Sequence, residues 1–234
     1  MNIIFTRPLI ESEDLMMNFF SSGYKVIHMP TLSINSANMD PINTKNYEGL
    51  IFTSANAVRF LKIKNHDKSI KCFCVGNLTE RSLRLKGFNN TVAASGTVNA
   101  LKNIIINSEK KIKNFAYLCG DVISYELDKE LIQNGFKITK IINYTSSKIL
   151  HLNKESKDLI ERYPANIALI YSKRSAESFD EIVRKYSFSE LMTHCTVMCI
   201  SKKIKEFLKS KGWNKIELFN PGEELIKIDQ IKNG

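Results

Sequence analysis

An internal repeat is the feature of this 234-residue sequence that most restricts its fold. The segments "LIFTSANAVRFL" (50–61) and "LIYSKRSAESF" (169–179) each begin as an apolar strand, reach a serine and continue with helical spacing. Farther along, "CVGNLTERSLRLKGF" (74–88) and "CISKKIKEFLKSKGW" (199–213) align without gaps as strand, polar turn, helix and glycine stop. Self-similar blocks of this kind predict repeated supersecondary units.

Two further blocks, 3–30 and 115–144, follow the same plan. Each predicts a strand, a polar turn, an amphipathic helix that ends at a glycine (Gly23 or Gly135) and a second strand. Because strands alternate with helices throughout, we expect α/β architecture with parallel sheets and right-handed crossovers. Four blocks of this size favour two similar domains.

The pairing of the four blocks stays open at this point. They could pair in sequence order, or the first block could pair with the last. The second arrangement makes one domain discontinuous and turns "HMPTLSI" (28–34) and "KIINYTSSK" (140–148) into linking strands.

Composition excludes several classes of protein. A hydrophobic content of 43% supports real cores, and no apolar run approaches the roughly 20 residues of a membrane span. The first residues lack the long apolar stretch of a signal peptide, so we expect a cytoplasmic protein. Five cysteines, an odd number without zinc-binding spacing, predict buried, reduced thiols and no metal site. The net charge of +10 is compatible with an anionic small molecule, with nucleic acid or with simple solubility.

Polar turns follow nearly every predicted strand, and most of them contain Ser or Thr. They are residues 6–8, 53–56, 76–79, 95–97, 119–121, 172–175 and 201–203. Helix starts with hydroxyl groups can bind carboxylate or phosphate, although the same residues are also the preferred helix N-caps. The sequence has no glycine-rich nucleotide loop, P-loop or nucleophile elbow, so nucleotide cofactors and serine hydrolysis lack their usual motifs.

These turns and their neighbours resemble those of uroporphyrinogen-III synthases, in order and over nearly the whole chain. The resemblance rests on Thr6-Arg7-Pro8, "IFTSANAV" (51–58), "VGNLT" (75–79), "LCGD" (118–121) followed by "LIQNGFKI" (131–138), Tyr144, "IYSKRSAESF" (170–179) and "CISKKI" (199–204).

The resemblance implies an enzyme of heme biosynthesis that closes the linear tetrapyrrole hydroxymethylbilane into uroporphyrinogen III. Such a lyase releases water, inverts the last pyrrole ring and uses neither metal nor cofactor. The family fold implies two α/β domains joined by a two-stranded β-ladder, with the active site in the cleft between them. Residues 1–33 and 147–234 would then form one domain and 36–144 the inserted domain, with linker strands near 28–35 and 140–148.

The resemblance also implies roles for particular residues. Tyr144, at the end of the returning linker strand, is expected to assist loss of the substrate's hydroxyl group. Ser54, Thr79 and Ser172 are expected to donate hydrogen bonds to substrate carboxylates. The rest of the predicted substrate-binding set is Thr6, Arg7, Asn56, Asn77, Gly120, Ser175, Ser201 and Lys202. Many relatives carry a hydroxyl residue where Lys203 or Ile204 stands here, which leaves Ser201 or Lys202 to make that contact.

The expected partner is therefore a small polycarboxylate, bound by a monomer without nucleic acid or membrane. Two other classes remain as alternatives. One is a non-catalytic two-domain module that binds an anionic metabolite at the same turns. The other is a nucleic-acid-binding protein that uses the positive charge, for which duplex binding would depend steeply on salt.

Overall fold

The computed structural model describes residues 1–8, 12–65, 67–108 and 113–233, along which strands alternate with helices. The strands are β1 (Asn2–Phe5), β2 (Lys25–His28), β3 (Leu32–Ser36), β4 (Gly49–Phe52), β5 (Lys71–Val75), β6 (Thr91–Ala94), β7 (Asn114–Gly120), β8 (Lys137–Lys148), β9 (Ile167–Ile170), β10 (Thr196–Cys199) and β11 (Ile216–Leu218). The helices are α1 (Glu13–Ser21), α2 (Ala55–Arg59), α3 (Gly76–Leu85), α4 (Val98–Ser108), α5 (Leu127–Gln133), α6 (Lys154–Arg162), α7 (Lys173–Lys185), α8 (Lys202–Ser210) and α9 (Glu224–Asn233), with a short 3₁₀ turn at Thr44–Asn46.

The chain divides into two compact units. Unit 1 comprises Met1–Ser33 and Ser147–Gly234, and unit 2 comprises Ile34–Ser146. The sheet of unit 1 has the strand order β11-β10-β9-β1-β2, and all of its neighbouring strands are parallel. The first block of the sequence therefore shares a sheet with the last block.

The sheet of unit 2 repeats this arrangement. Its order is β3-β8-β7-β4-β5-β6, and β8 through β6 are parallel. In the reverse direction β6-β5-β4-β7-β8 matches β11-β10-β9-β1-β2 strand for strand, because β4 and β9 belong to one pair of similar blocks and β5 and β10 to the other. The predicted fold class, two similar parallel-sheet α/β domains joined by a two-stranded β-ladder, is confirmed.

The ladder consists of β3 and β8, and the chain crosses from one unit to the other within these two strands. Ala37 N donates to Asn143 O at 3.1 Å, and Ile149 N donates to Thr31 O at 2.9 Å. From the first of these hydrogen bonds to the second, the residue number falls in one segment and rises in the other. The two segments therefore run antiparallel. The twelve residues of β8 thus serve both as a parallel strand of unit 2 and as half of the ladder.

Each sheet is covered by helices on both faces, which is why its central strands are apolar throughout. All four residues of β4 and of β9 are buried, as expected for parallel strands between two helical layers. In unit 1 one face packs on α6, α7 and α8 and the other on α1 and α9. In unit 2 one face packs on α2 and α3 and the other on α4 and α5. Both cores lie between the sheet and its helices, so the residues that follow the carboxyl ends of the strands can bind a ligand.

Two glycines end helices as the sequence predicts. Gly23 follows α1 with φ of +78°, and Gly135 follows α5 with φ of +89°. Their N–H groups donate to Phe20 O and Ile132 O. Left-handed backbone at these positions satisfies helix-end carbonyls and turns the chain back toward the next strand.

Candidate functional site at the carboxyl ends of the strands

Three predicted turns of unit 2 and Tyr144 lie level with one another at the carboxyl end of its sheet. Phe52 of β4 pairs with Cys74 and with Leu118, so two residues later Ser54 is level with Gly76 and Gly120. Gly120 pairs in turn with Tyr144. With neighbouring strands about 4.8 Å apart, the backbones at Ser54 and Tyr144 are separated by about two strand spacings. This edge brings predicted site residues from four strands together.

The ring of Tyr144 is seated directly on Gly120. A Cβ atom added at position 120 would stand 2.7 Å from the Cε2 and Cζ atoms of Tyr144 and 3.0 Å from its hydroxyl oxygen. Phe60 stacks on Tyr144 as well, with ring centroids 6.4 Å apart and an angle of 28° between the planes. Asp121 N donates to Tyr144 O at 3.1 Å, which fixes the strand end. Substrate binding by Gly120 stays a prediction, and in this structure the missing side chain at position 120 makes room for the tyrosine ring.

A second tyrosine, Tyr117 of β7, is buried beside the turn that follows β4. The hydroxyl groups of Tyr117 and Thr53 lie 3.2 Å apart. Burial raises the pKa of Tyr117 to about 12, and the hydrogen bond from Thr53 opposes this shift. Tyr117 therefore stays protonated at neutral pH and orients Thr53 beside the Ser54 turn.

Three predicted serines are helix N-caps. Ser54 Oγ accepts from Asn56 N at 3.2 Å, Ser172 Oγ from Ser175 N at 3.0 Å, and Ser201 Oγ from Ile204 N at 3.4 Å. Each capping oxygen keeps its own hydroxyl proton, for which the described residues supply no acceptor. All three side chains are partly exposed. Capping and substrate binding are thus compatible, since the oxygen accepts from the helix while the O–H can donate outward.

The other predicted residues of unit 2 differ in exposure. Asn77 is exposed and Thr79 is buried on the first turn of α3. No side chain of the described residues caps α3, so its first backbone N–H groups remain available to an anion. Asn56 is buried, and its Oδ1 accepts from Arg59 Nη1 at 2.9 Å.

At the carboxyl end of the unit 1 sheet, Arg7 lies against an aromatic ring. Its guanidinium carbon is 4.8 Å from the ring centroid of Tyr171. The Tyr171 hydroxyl donates to Glu224 Oε1 at 3.1 Å, and Gly222 N donates to Glu224 Oε2 at 2.8 Å. Burial, together with the buried Glu224 carboxylate, raises the pKa of Tyr171. The start of α9 thereby holds the ring on which Arg7 rests.

Thr6 and Ser175 are buried, and their hydroxyl groups form a cluster with Thr31. Thr6 Oγ1 donates to Leu169 O at 2.5 Å, Thr31 Oγ1 donates to Thr6 O at 3.2 Å, and Ser175 Oγ is 2.6 Å from Thr31 Oγ1. Ser175 Oγ can also donate to Thr6 Oγ1 at 3.2 Å. These contacts use all three hydroxyl protons inside the protein. Substrate binding by Thr6 and Ser175 stays a prediction, and in this structure the two residues tie β1 to α7.

Ser201 and Lys202 border a cavity of about 360 Å³ at the ends of β10 and β11. Its polar lining also includes Asn220, Glu223 and Lys227, and Lys227 Nζ lies 3.2 Å from a carboxylate oxygen of Glu217. Lys202, the first residue of α8, is exposed. Lysines beside a helix start favour an anionic group at this place.

The cysteines are unpaired and buried, as the sequence predicts. Burial raises the pKa of the Cys72 and Cys195 thiols to about 12 and of the Cys74 and Cys119 thiols to about 11. Thiols in this range are protonated at neutral pH and are poor nucleophiles. Within the described ranges, no group of three His, Cys, Asp or Glu side chains is arranged to hold a metal ion.

Sequence reasoning missed three residues that organise these edges. Asn143, Tyr171 and Glu224 each contact a predicted element, but none of them was predicted as a site residue. A local signal existed for two of them: Asn143 is a polar residue inside the apolar run before Tyr144, and Tyr171 immediately precedes the capping Ser172. Glu224 is distant in sequence from every predicted residue that it supports.

Comparisons with known proteins find one matching family model and solved structures of similar fold. The model of the family described as uroporphyrinogen-III synthase HemD matches residues 14–218. A uroporphyrinogen-III synthetase crystal structure from Helicobacter pylori is similar with a TM-score of 0.67 and 17% identity, over 100% of this chain and 99% of that chain. A mutant uroporphyrinogen III synthase from the extremely thermophilic bacterium Thermus thermophilus gives a TM-score of 0.53 and 12% identity, over 100% and 99%. At these identities the two structures show the likeness of the fold. No curated protein sequence matches significantly.

The helices of the structure are short compared with the thickness of a lipid bilayer or carry charged residues. Within the residues that the structure describes, none combines the length and the apolar character that a membrane-spanning helix needs.

Proposed function

The chain belongs to the uroporphyrinogen-III synthase family, and we propose that it closes hydroxymethylbilane into uroporphyrinogen III. As a member of this family it is an enzyme of tetrapyrrole and heme synthesis that acts on a small-molecule substrate. The proposed reaction is that of a cyclising lyase: the terminal hydroxyl group leaves as water, the last pyrrole ring is inverted, and the ring closes without a cofactor.

The seating of Tyr144 on Gly120 is the observation on which this proposal mainly rests. A half-buried tyrosine within a strand would ordinarily be a packing residue. Here its ring is fixed by two contacts, with Gly120 and with Phe60, and it is level with the Ser54 turn. A phenol fixed in this way can give the substrate's hydroxyl group the proton with which it leaves as water, and the proton that the ring carbon releases on closure can restore the phenol.

Each sheet has its own candidate donors for the proposed binding contacts. The substrate carries acetate and propionate side chains on each of its pyrrole rings, and carboxylates are well bound by hydroxyl groups, backbone N–H groups and guanidinium. Ser54 and the start of α3 offer such donors in unit 2, and Ser172, Ser201, Lys202 and Arg7 offer them in unit 1. We expect each contact to contribute modestly, as ordinary hydrogen bonds do, about 1 kcal/mol.

The chemical task explains why dispersed binding suffices. Hydroxymethylbilane loses water and cyclises unaided to the symmetric isomer I, so the protein must mainly hold the chain in the conformation that closes at the substituted carbon. Orientation of reacting groups can lower a barrier by several kcal/mol without covalent catalysis. Fixed dipoles around the cationic intermediate that follows water loss add to this effect.

We further propose that the protein acts as a monomer in the cytoplasm, without a nucleic-acid partner. The lysines are spread over helix surfaces such as that of α8, whereas nucleic-acid binders concentrate basic and aromatic residues. Sedimentation of the purified chain at several concentrations tests the first statement. Duplex DNA titrated at low and at moderate salt tests the second, since real binding would show a steep salt dependence.

The proposed activity is tested by incubating the protein with freshly made hydroxymethylbilane, oxidising the products and separating isomers I and III by chromatography. We expect isomer III in excess of a blank and of heat-inactivated protein. Isomer I alone, at the level of the blank, would remove the enzymatic proposal. Binding of the substrate without conversion would then favour a non-catalytic module for anionic metabolites.

A further inference from the structure

A β-bulge places Tyr144 opposite Gly120. Along β7 and β8, Cys119 pairs with Ile142, but the next residue, Gly120, pairs with Tyr144. Asn143 is therefore an extra residue on β8. In a regular ladder, Asn143 would stand opposite Gly120 and the tyrosine would lie one position farther along. Bulges of this kind redirect side chains and are frequent beside active sites.

The side chain of the bulged residue reaches across to helix α2. Asn143 is fully buried, and its Nδ2 donates to Ala57 O at 2.7 Å. Ala57 N donates in turn to Ser54 O at 3.1 Å. Two hydrogen bonds thus connect the residue next to Tyr144 with the turn at Ser54. The main chain of Asn143 is held as well, because its carbonyl accepts from Ala37 N at 3.1 Å.

One atom of this amide is not satisfied. Asn143 Oδ1 is buried and has no hydrogen-bond partner among the described residues. A buried polar oxygen without a partner costs free energy, and native proteins contain few of them. Stability alone therefore does not account for an asparagine at position 143, which points to a role in geometry.

We propose that Asn143 is a positioning residue for ring closure, which holds the ring of Tyr144 and the Ser54 turn in one fixed relation through its bond to Ala57. The catalytic consequence rests on the proposed function. The structural tie between β8 and α2 does not depend on it. Loss of the amide should let the bulge and α2 shift independently, so that substrate still binds but reacts more slowly.

The first test measures the tie without any activity. The full chain is labelled with ¹³C in its tyrosine rings, and the Tyr144 signal is assigned with Tyr144→Phe. Asn143→Leu, which keeps the branched shape of the side chain and removes the amide, should shift this signal. Ser178→Ala is the matched control, because it also removes a buried side-chain bond to a main-chain carbonyl, that of Ile149, in unit 1. It should leave the Tyr144 signal in place.

The second test separates positioning from binding. Asn143→Leu should lower kcat for isomer III about tenfold while KM stays within about twofold, as expected when orientation rather than binding is lost. Ser178→Ala should leave both constants unchanged. If Asn143→Leu does not fold, Asn143→Ser replaces it in both tests, because serine is polar but too short to reach Ala57 O.

The outcomes are distinguishable. An unmoved Tyr144 signal overturns the tie. A moved signal with unchanged kcat, in a protein whose wild type makes isomer III, overturns the positioning role. A wild type that makes no isomer III contradicts the proposed function, and the tyrosine signal then still decides whether Asn143 holds Tyr144.

Discussion

The ring of Tyr144 lies so close to the α-carbon of Gly120 that a methyl group at position 120 would stand 2.7 Å from two of its ring carbons. Glycine is required there by the tyrosine, since the left-handed glycines of the chain do not include Gly120. Gly120 and Tyr144 therefore act as one structural pair. A substitution at either residue should change the position or the packing of the other.

Gly120→Ala tests this pair. The added methyl group must displace the tyrosine ring, and a shift of about 1 Å at a reacting group can cost about 100-fold in rate. We expect kcat for isomer III to fall by about 10- to 100-fold, together with a lower Tm. The same substitution in a Tyr144→Ala background should cost little stability, because the clash is gone. Equal stability losses in both backgrounds would show that the ring is not what position 120 accommodates.

The capping serines can be tested for their second role at Ser172. Ser172→Ala should destabilise the fold by about 1 kcal/mol through loss of the α7 cap and should raise KM severalfold. Ser172→Asp keeps the cap but replaces the outward hydroxyl with a negative charge, so stability should be retained while KM rises further. Unfolding curves and steady-state kinetics check both variants. If KM stays at the wild-type value in Ser172→Asp, this serine does not face the substrate carboxylates.

Alkaline stability should depend on the buried thiols. Burial, with a smaller contribution from Cys74, raises the pKa of Cys72 to about 12 from an ordinary value of 9.0. Below pH 9 the thiol is protonated in both states, so its contribution is complete. Between pH 9 and about 12 the unfolded chain releases the proton while the folded chain keeps it, and the free energy of unfolding falls as pH rises.

Urea unfolding of wild type and Cys72→Ala, from about pH 7.5 to about pH 10.5, measures this dependence. The wild type should lose stability more steeply than the variant over this range. Lysine and tyrosine titrations are common to both proteins and cancel in the difference. Parallel pH dependences would contradict protection of the Cys72 proton by the fold.

Much of the architecture could be predicted because the repeat consists of local sequence patterns that specify strands, turns and helices. Apolar runs such as 167–170 and the glycines after α1 and α5 mark strands and helix ends directly. Which blocks share a sheet could not be read from periodicity. That choice depends on long-range pairing, such as that of Ile4 with Ala168.

The residue types at the edges of the sheets could be predicted from the sequence. The directions in which their side chains point could not. Ser172 and Ser175 lie in one turn with the same polar character, yet Ser172 is partly exposed while Ser175 is buried against Thr31. Their difference arises from the rotation of α7, and a turn motif does not specify it. The position of Tyr144 opposite Gly120 could not be predicted either, because a one-residue bulge is a property of two paired strands.

We propose that the hydroxyl group of Tyr144, whose ring is held against Gly120, promotes water loss and correct ring closure. The most direct measurement is the initial rate of isomer III formation by wild type, Tyr144→Phe and Tyr24→Phe at equal concentrations. Tyr24 donates to Asp229 at 2.6 Å at the amino end of β2, so Tyr24→Phe controls for loss of a phenol hydroxyl elsewhere in the fold. We predict that Tyr144→Phe folds normally and loses about 100-fold in rate, as for loss of a positioned proton donor, while Tyr24→Phe stays at the wild-type rate. Isomer III formation by Tyr144→Phe at the wild-type rate would contradict the claim.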